Sequence, residues 1–432
     1  MRSRRSAFIN IAVLVTIFVG TSIWNAWQIV GAGNEFDAAI KAYHQRGEKV
    51  LPEDFNQPAV NDDENAVVLL RRAAEGIKID ESQQKLWDDD DFDLPLRRDE
   101  EQTIAAVRLA NADALKQIAE AQKRKKIAWG NIPAGTGLPA LNPMRASATF
   151  LARIARLAHQ QGREDEALAR TEDIFFVARV TDEQSTFISH LVAVGIEAVG
   201  IDSLKQMAED LKTTPQTRPV VEAIVKQLLA PRDISAGLWW QGERANAISM
   251  SRENLKAGQP MPVPLQRGLV RTWKFSDQVR EASKQPNYQA AMEIVNKLPE
   301  PSGRSAEDKI AAIMTPSMRR SLATNFRICA DRRMCATALA MRLYAVDQQG
   351  KQPVDLKSLV PKYLPAIPED PFAAGGAPIR YLPEKSILYS VYEDGVDDGG
   401  KEHPDDRPGR DLDLACNLKR PPRKPPETGA GQ

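Results

Sequence analysis

An uncharged run of 24 residues, Ala7 to Val30, follows Arg2, Arg4 and Arg5 at the start of the chain and constrains its fold and placement most strongly. In hydrocarbon every backbone polar group must find its partner within the chain, so a lone apolar segment can cross only as a helix. At about 1.5 Å per residue the run reaches about 36 Å, enough for a hydrocarbon core of about 30 Å. Trp24 and Trp27 stand near its far end, where amphipathic rings favour the interface. Positive charge precedes the span and Glu35 and Asp37 follow it, which predicts a single-pass anchor in a bacterial inner (cytoplasmic) membrane with the bulk of the chain outside the cytoplasm. The competing expectation is a cleaved signal peptide ending near Gly31-Ala32-Gly33, although the apolar region of such peptides runs only about 7–15 residues.

Beyond the span the composition is that of a folded protein, with 42% apolar and 27% charged residues. Fifty-eight basic residues balance 58 acidic ones, so no global field draws the chain to nucleic acid, and no nucleic-acid partner is expected. With only four histidines and three cysteines, a histidine-rich metal centre or a disulfide scaffold is excluded.

From Glu35 to about Arg320 the periodicity is helical. Ile104, Val107, Ala114, Ile118 and Ala121 share one face, and Phe150, Ile154, Leu157 and Ala158 form the next stripe. Gly162 breaks the chain before Ala167, Leu168, Phe175 and Ala178, and Ile188, Val192, Ile196 and Val199 make a further line. Antiparallel hairpins with short loops bury such stripes economically. The corner at Gly162 looks like a tetratricopeptide turn, but no 34-residue echo accompanies it, so an ordinary helical hairpin is expected.

Two stretches resemble sites without completing one. Asp80 to Glu101 holds ten acidic residues against three basic ones, the composition of a solvated loop or helix entrance as well as of a cation site. Gly135-Thr136-Gly137 lacks the Lys-Ser/Thr of a phosphate loop and reads as a connection between helices. Trp239 and Trp240 are expected in the core. No G-x-S-x-G, H-E-x-x-H or paired C-x-x-C occurs, and His44, His159, His190 and His403 lie far apart, so no catalytic residues are assigned and no enzyme is expected.

After Ser321 an amphipathic helix is expected from about Leu322 to Gln349, ended by Gly350. Two antiparallel strand candidates follow, Pro378 to Leu382 and Ser386 to Tyr392, then an acidic glycine loop from Glu393 to Asp413. The fold class is therefore mainly α: a transmembrane helix, a body of helical hairpins and a small α+β end. The expected divisions are 1–33, a basic tip and anchor; 34–320, a helical extracytoplasmic domain; 321–416, the α+β domain; and 417–432, a basic proline-rich tail.

The order of these C-terminal parts resembles the C-terminal domain of the major pseudopilin of type II secretion. The resemblance rests on Ala340 to Tyr344, Gly350, Pro353, Leu356 to Leu359 and Tyr363-Leu364-Pro365. It continues through Ile367 to Phe372, Pro378 to Tyr381, Tyr389 to Val391, Asp394-Gly395, Gly399-Gly400 and Asp411 to Leu414, over about ninety residues. It implies calcium held by Asp394, Asp397, Asp398, Asp411 and Asp413. Calcium takes six to eight oxygen ligands from flexible loops, and glycine lets carbonyls turn inward. An EF-hand is not matched, since Val396 occupies the third ligand position counted from Asp394; a solvated acidic turn is the alternative. The N-terminus departs from pseudopilins: Ser6-Ala7-Phe8 lacks the processing glycine, and the early glutamate is missing. As a whole the chain looks like membrane-anchored helical proteins of bacterial, planctomycete-type families that carry a similar ending.

Outside the cytoplasm any two of Cys329, Cys335 and Cys416 could pair, although six positions apart on a helix Cys329 and Cys335 point in different directions. The function expected is that of a non-enzymatic, membrane-anchored envelope protein that mediates protein contacts, with a calcium-stabilised end. The alternatives are an accessory component of a type II secretion or pilus-like system, and an extracytoplasmic hydrolase using scattered carboxylates.

Overall fold

A computed structural model describes residues 31, 33–88, 92–130, 138–256, 259–299, 303–401 and 412–420. The expected membrane span, the Gly135 loop, Asp411, His403 and the proline-rich tail lie outside them. The chain is mainly helical with one small antiparallel sheet.

Helix α1 covers residues 33–45. A first layer follows: α2 (Ala66–Glu75), α3 (Glu81–Asp88), α4 (Arg98–Ala110) and α5 (Ala112–Gln122). The acidic stretch before α4 ends as a helix entrance. Asp99, Glu100 and Glu101 occupy the first turn, and the buried Glu100 carboxylate accepts from Arg97 N at 2.6 Å. Carboxylates there offset the positive end of the helix dipole.

The centre is an antiparallel stack of α6 (Leu138–Gln160), α7 (Glu164–Asp182) and α8 (Phe187–Ala208), followed by α9 (Thr217–Leu229). Gly162, at φ +72°, turns the α6–α7 corner, a conformation that costs little only without a Cβ. All four residues of each stripe flanking that corner are buried, as the periodicity requires. Helix α8 departs from the expected pattern. Ile188, Val192 and Val199 are only half-buried, while Phe187, Ala193, Val194, Ile201 and Leu204 are buried, because neighbours cover it on several sides. Among the described residues α8 is the one helix long and apolar enough to cross a membrane, and its burial identifies that apolarity as core packing.

Helices α10 (Trp239–Glu253), α11 (Val263–Ala282) and α12 (Tyr288–Val295) lead to α13 (Ala306–Asp347), a 42-residue rod. It begins 16 residues before the expected Leu322, with Ser305 Oγ accepting from Asp308 N at 3.1 Å as its N-cap. Helix α13 packs on α8, α9 and α11, so its core positions serve the helical body and the sheet alike.

Strand β1 (Arg380–Leu382) pairs with β2 (Ile387–Ser390) in the register Tyr381 opposite Leu388, with Pro383 to Ser386 as the turn. A third strand, β3 (Leu414–Asn417), was not expected; it pairs antiparallel with β2 and makes β2 the central strand, buried along its length. One continuous apolar cluster runs from Ala66 to Cys416, and a smaller one joins Tyr43 and Val50 to Trp273 and Leu269. Cys335 and Cys416 are buried free thiols and Cys329 is half-buried. Burial pushes the Cys335 thiol up, and the neighbouring Cys416 adds to the effect.

Candidate functional site

Four of the five carboxylates expected to hold a cation are described, and they have unequal surroundings. Asp394 is exposed, and its Oδ1 accepts from Val396 N at 3.0 Å, a local turn. Asp397 accepts from the Tyr389 hydroxyl at 3.1 Å and Gly399 N at 3.0 Å, and pairs with Arg380 Nε at 2.9 Å. Burial would raise its acidity constant, but the Gly399 amide, Tyr389 and Arg380 outweigh it and hold the carboxyl below its ordinary range. Asp398 contributes its backbone amide to Asp413 at 3.1 Å.

Asp413 is the buried member, 5% exposed at the start of β3. Its Oδ2 accepts from Gly400 N at 2.7 Å as well as from Asp398 N, while its Oδ1 is sealed from solvent without a hydrogen-bond partner. Burial, with Asp397 and Asp398 nearby, pushes its carboxyl up to about 6 against the pull of the two amides. Among the described residues no three His, Cys, Asp or Glu side chains converge as a metal site. The loop thus brings Asp397, Asp398 and Asp413 together, leaves Asp394 at the surface, and neutralises Asp397 with Arg380.

Asp370 supports this end from below. Its buried carboxylate accepts from Phe372 N, the Ser390 hydroxyl and Val391 N at 2.9, 2.6 and 2.9 Å, and pairs with Arg380 at 3.4 Å. Arg380 therefore bridges Asp370 to Asp397.

A second constellation lies on the helical body, in a cleft of about 300 Å³ walled by α7, α8, the α9–α10 connection, α10 and α13. The α7–α8 corner builds it. Ser185 takes φ +61°, and Thr186 caps α8 by accepting from Ser189 N at 3.1 Å. Helix α10 closes on this corner because Gly242 has no side chain: a Cβ there would stand 1.5 Å from the Ser185 carbonyl oxygen. That approach lays the Trp239 ring flat on His190, with centroids 4.4 Å apart, and Trp240 stacks behind at 3.9 Å.

His190 is 3% exposed, with Nδ1 2.8 Å from Asp182 Oδ1 and Nε2 3.1 Å from Asn325 Oδ1. Deeper in the cleft Glu197 pairs with two arginines, Arg232 through one oxygen and Arg332 through the other. His159 is the other histidine buried between acceptors, 2.8 Å from Glu164 Oε2 and 3.0 Å from Asp210 Oδ1. His44 sits near the surface against Asp54 at 2.7 Å. A wider groove of about 660 Å³ beside α2 is lined by Arg71, Glu75 and Trp129 and gathers no comparable set of buried charges.

No family model matches this chain, and neither a curated protein nor a solved structure is measurably similar to it.

Proposed function

We propose that this is a non-enzymatic, membrane-anchored envelope protein, held in the inner membrane by the Ala7–Val30 span, whose helical body makes protein contacts outside the cytoplasm. Its pseudopilin-like end, on this reading, is stabilised by calcium bound among Asp394, Asp397, Asp398, Asp411 and Asp413. The observation that carries the calcium reading is Asp413, a buried carboxylate with one oxygen lacking any donor. Such an atom costs about 1–3 kcal/mol unless a partner reaches it. The other groups around it are carboxylates and glycine-rich backbone, the hard oxygen donors that calcium takes. The non-enzymatic reading draws on His190, whose two ring nitrogens both face oxygen acceptors, leaving neither free to take a proton from a nucleophile.

The test is the melting of the detergent-solubilised full chain in millimolar calcium and in chelator. A ligand at a hundredfold excess over its Kd adds about 2.7 kcal/mol. The native chain should therefore melt a few degrees higher in calcium, magnesium should do less, and Asp413→Asn should remove the difference. Equal melting in calcium and chelator would leave the loop an acidic turn. For the protein-contact reading, cross-linking in native membranes should capture a partner through α1–α13, and a catalytic turnover found in the purified chain would overturn it.

A further inference from the structure

We infer that the cleft beside His190 binds a small molecule carrying both a carboxylate and an ammonium group, the chemistry of a free amino acid. This inference is independent of the calcium loop. It starts from which charged groups in the cleft are matched and which are not. Arg332 is fully engaged: Nη1 meets Glu197, Nε donates to the Leu228 carbonyl at 3.2 Å and Nη2 to the Gln227 carbonyl at 2.6 Å. Glu197 has both oxygens in ion pairs. These two groups form a fixed floor.

The remaining groups are half-matched or free. Arg232 gives Nη1 to Glu197, while its other nitrogens have no partner among the described residues and are not sealed from solvent. Arg179 has no carboxylate partner among the described residues and touches only the Phe176 ring, at 5.2 Å. Both arginines line the cleft. On the acidic side Asp182 uses Oδ1 for His190, and Asp233 uses Oδ1 for Ser235 and Ala236 at the start of a short 3-10 turn. The second oxygen of each has no donor among the described residues.

The cleft therefore offers unpaired guanidinium donors and unpaired carboxylate acceptors within one cavity of about 300 Å³. A simple anion would meet the arginines but also two half-free carboxylates. An amine would face the converse. A zwitterion satisfies both sets and leaves the balance of three arginines and three carboxylates undisturbed. Planar arginine forks suit a carboxylate, and charge-assisted bonds on both ends favour an ammonium opposite Asp182 and Asp233. The site is held rigidly by the floor and by the His190–Trp239 stack, so little ordering is needed on binding.

The experiment is isothermal titration of the solubilised full chain with each common L-amino acid, then with the N-acetyl and amide derivatives of the best binder. Arg179→Gln should weaken binding about tenfold, the worth of one lost charge-assisted contact. Its ligand-free melting should be unchanged, because Arg179 makes no ion pair. Asp233→Asn should weaken the parent amino acid more than its N-acetyl derivative. Three outcomes would overturn the inference: no amino acid gives a saturable heat, Arg179→Gln binds as tightly as the native chain, or N-acetylation leaves affinity unaltered.

Discussion

His159 offers a stability difference whose pH dependence follows from its two contacts. The ring lies at the end of α6, buried between Glu164 Oε2 at 2.8 Å and Asp210 Oδ1 at 3.0 Å. Burial alone would lower its acidity constant; the hydrogen bonds and charges of Asp210 and Glu164 outweigh that and push it up to about 9. An unfolded histidine titrates near 6.5. The folded value is the higher, so the imidazolium stabilises fully below about pH 6.5, and that contribution fades as the pH rises through about 9. At about 1.36 kcal/mol per unit the shift sets a ceiling of roughly 3 kcal/mol. Asp210 is 56% exposed, so solvent screens one of the two partners and about 1–2 kcal/mol is the expected contribution. His159→Gln removes the titrating group while keeping a polar side chain. Urea melts of both forms at pH 6, 7.5 and 9.5 should show the native chain ahead by about 1–2 kcal/mol at pH 6 and the gap nearly closed at pH 9.5. A gap that is constant across that range, or that widens with pH, would refute the assignment.

Arg244→Met should cost about 3–5 kcal/mol in chemical denaturation, because Arg244, 2% exposed, pairs with Glu48 and with Asp277 at 3.2 Å and removing it strands both carboxylates. Gly242→Ala should destabilise by about 1–3 kcal/mol and quench less of the tryptophan fluorescence, since the new Cβ forces α10 off the Ser185 carbonyl and loosens the Trp239 stack. In a native chain treated with iodoacetamide at pH 8, Cys335 should stay unmodified until denaturant is added, its thiol being buried and held protonated. Membrane fractions washed with high salt should retain the full-length chain; release of a shortened soluble form would show that residues 7–30 are a cleaved signal.

Much of the helical body was legible because its faces are one-sided. The stripes on α4, α5, α6 and α7 sit where the 3.6-residue period places them, and Gly162 turns the corner it was expected to turn. Helix α8 shows the limit of that approach. Covered on several sides, it has no single stripe to find, and the row picked out was among its less buried ones. Helix α13 was begun too late because Pro316 reads as a breaker, whereas the N-cap lies at Ser305. Strand β3 was taken for the end of the acidic loop: it is four residues long, and its pairing with β2 is long-range. The cleft was illegible for the same reason. Asp182 and His190 flank a helix corner, but Asn325 lies 135 residues from His190, and Glu197 and Arg332 are joined across the same distance. No local spacing records such a set. The nearest signal was an aspartate and a histidine on either side of one helix–helix turn.

Strand β3 shows how the two charged clusters bear on one element. It is short, and its burial alternates, so apolar packing holds only part of it. Charge fixes both ends. On the N-terminal side Asp413 receives Asp398 N and Gly400 N, binding the strand to the glycine loop. Beyond its C-terminus Arg420 pairs with Glu209 at 3.1 Å and Asp210 at 2.7 Å. Asp210 also holds His159, so the fastening past β3 and the buried histidine share one carboxylate. Arg420 and His159 together hold that carboxyl well below its ordinary range, down to about 2, after burial has been overcome. Loss of the proton from His159 would leave Asp210 to Arg420 alone, whereas a cation at Asp413 would act on the opposite end. The two clusters therefore secure the same strand by separate means, one answering to pH and the other, on the proposed reading, to calcium.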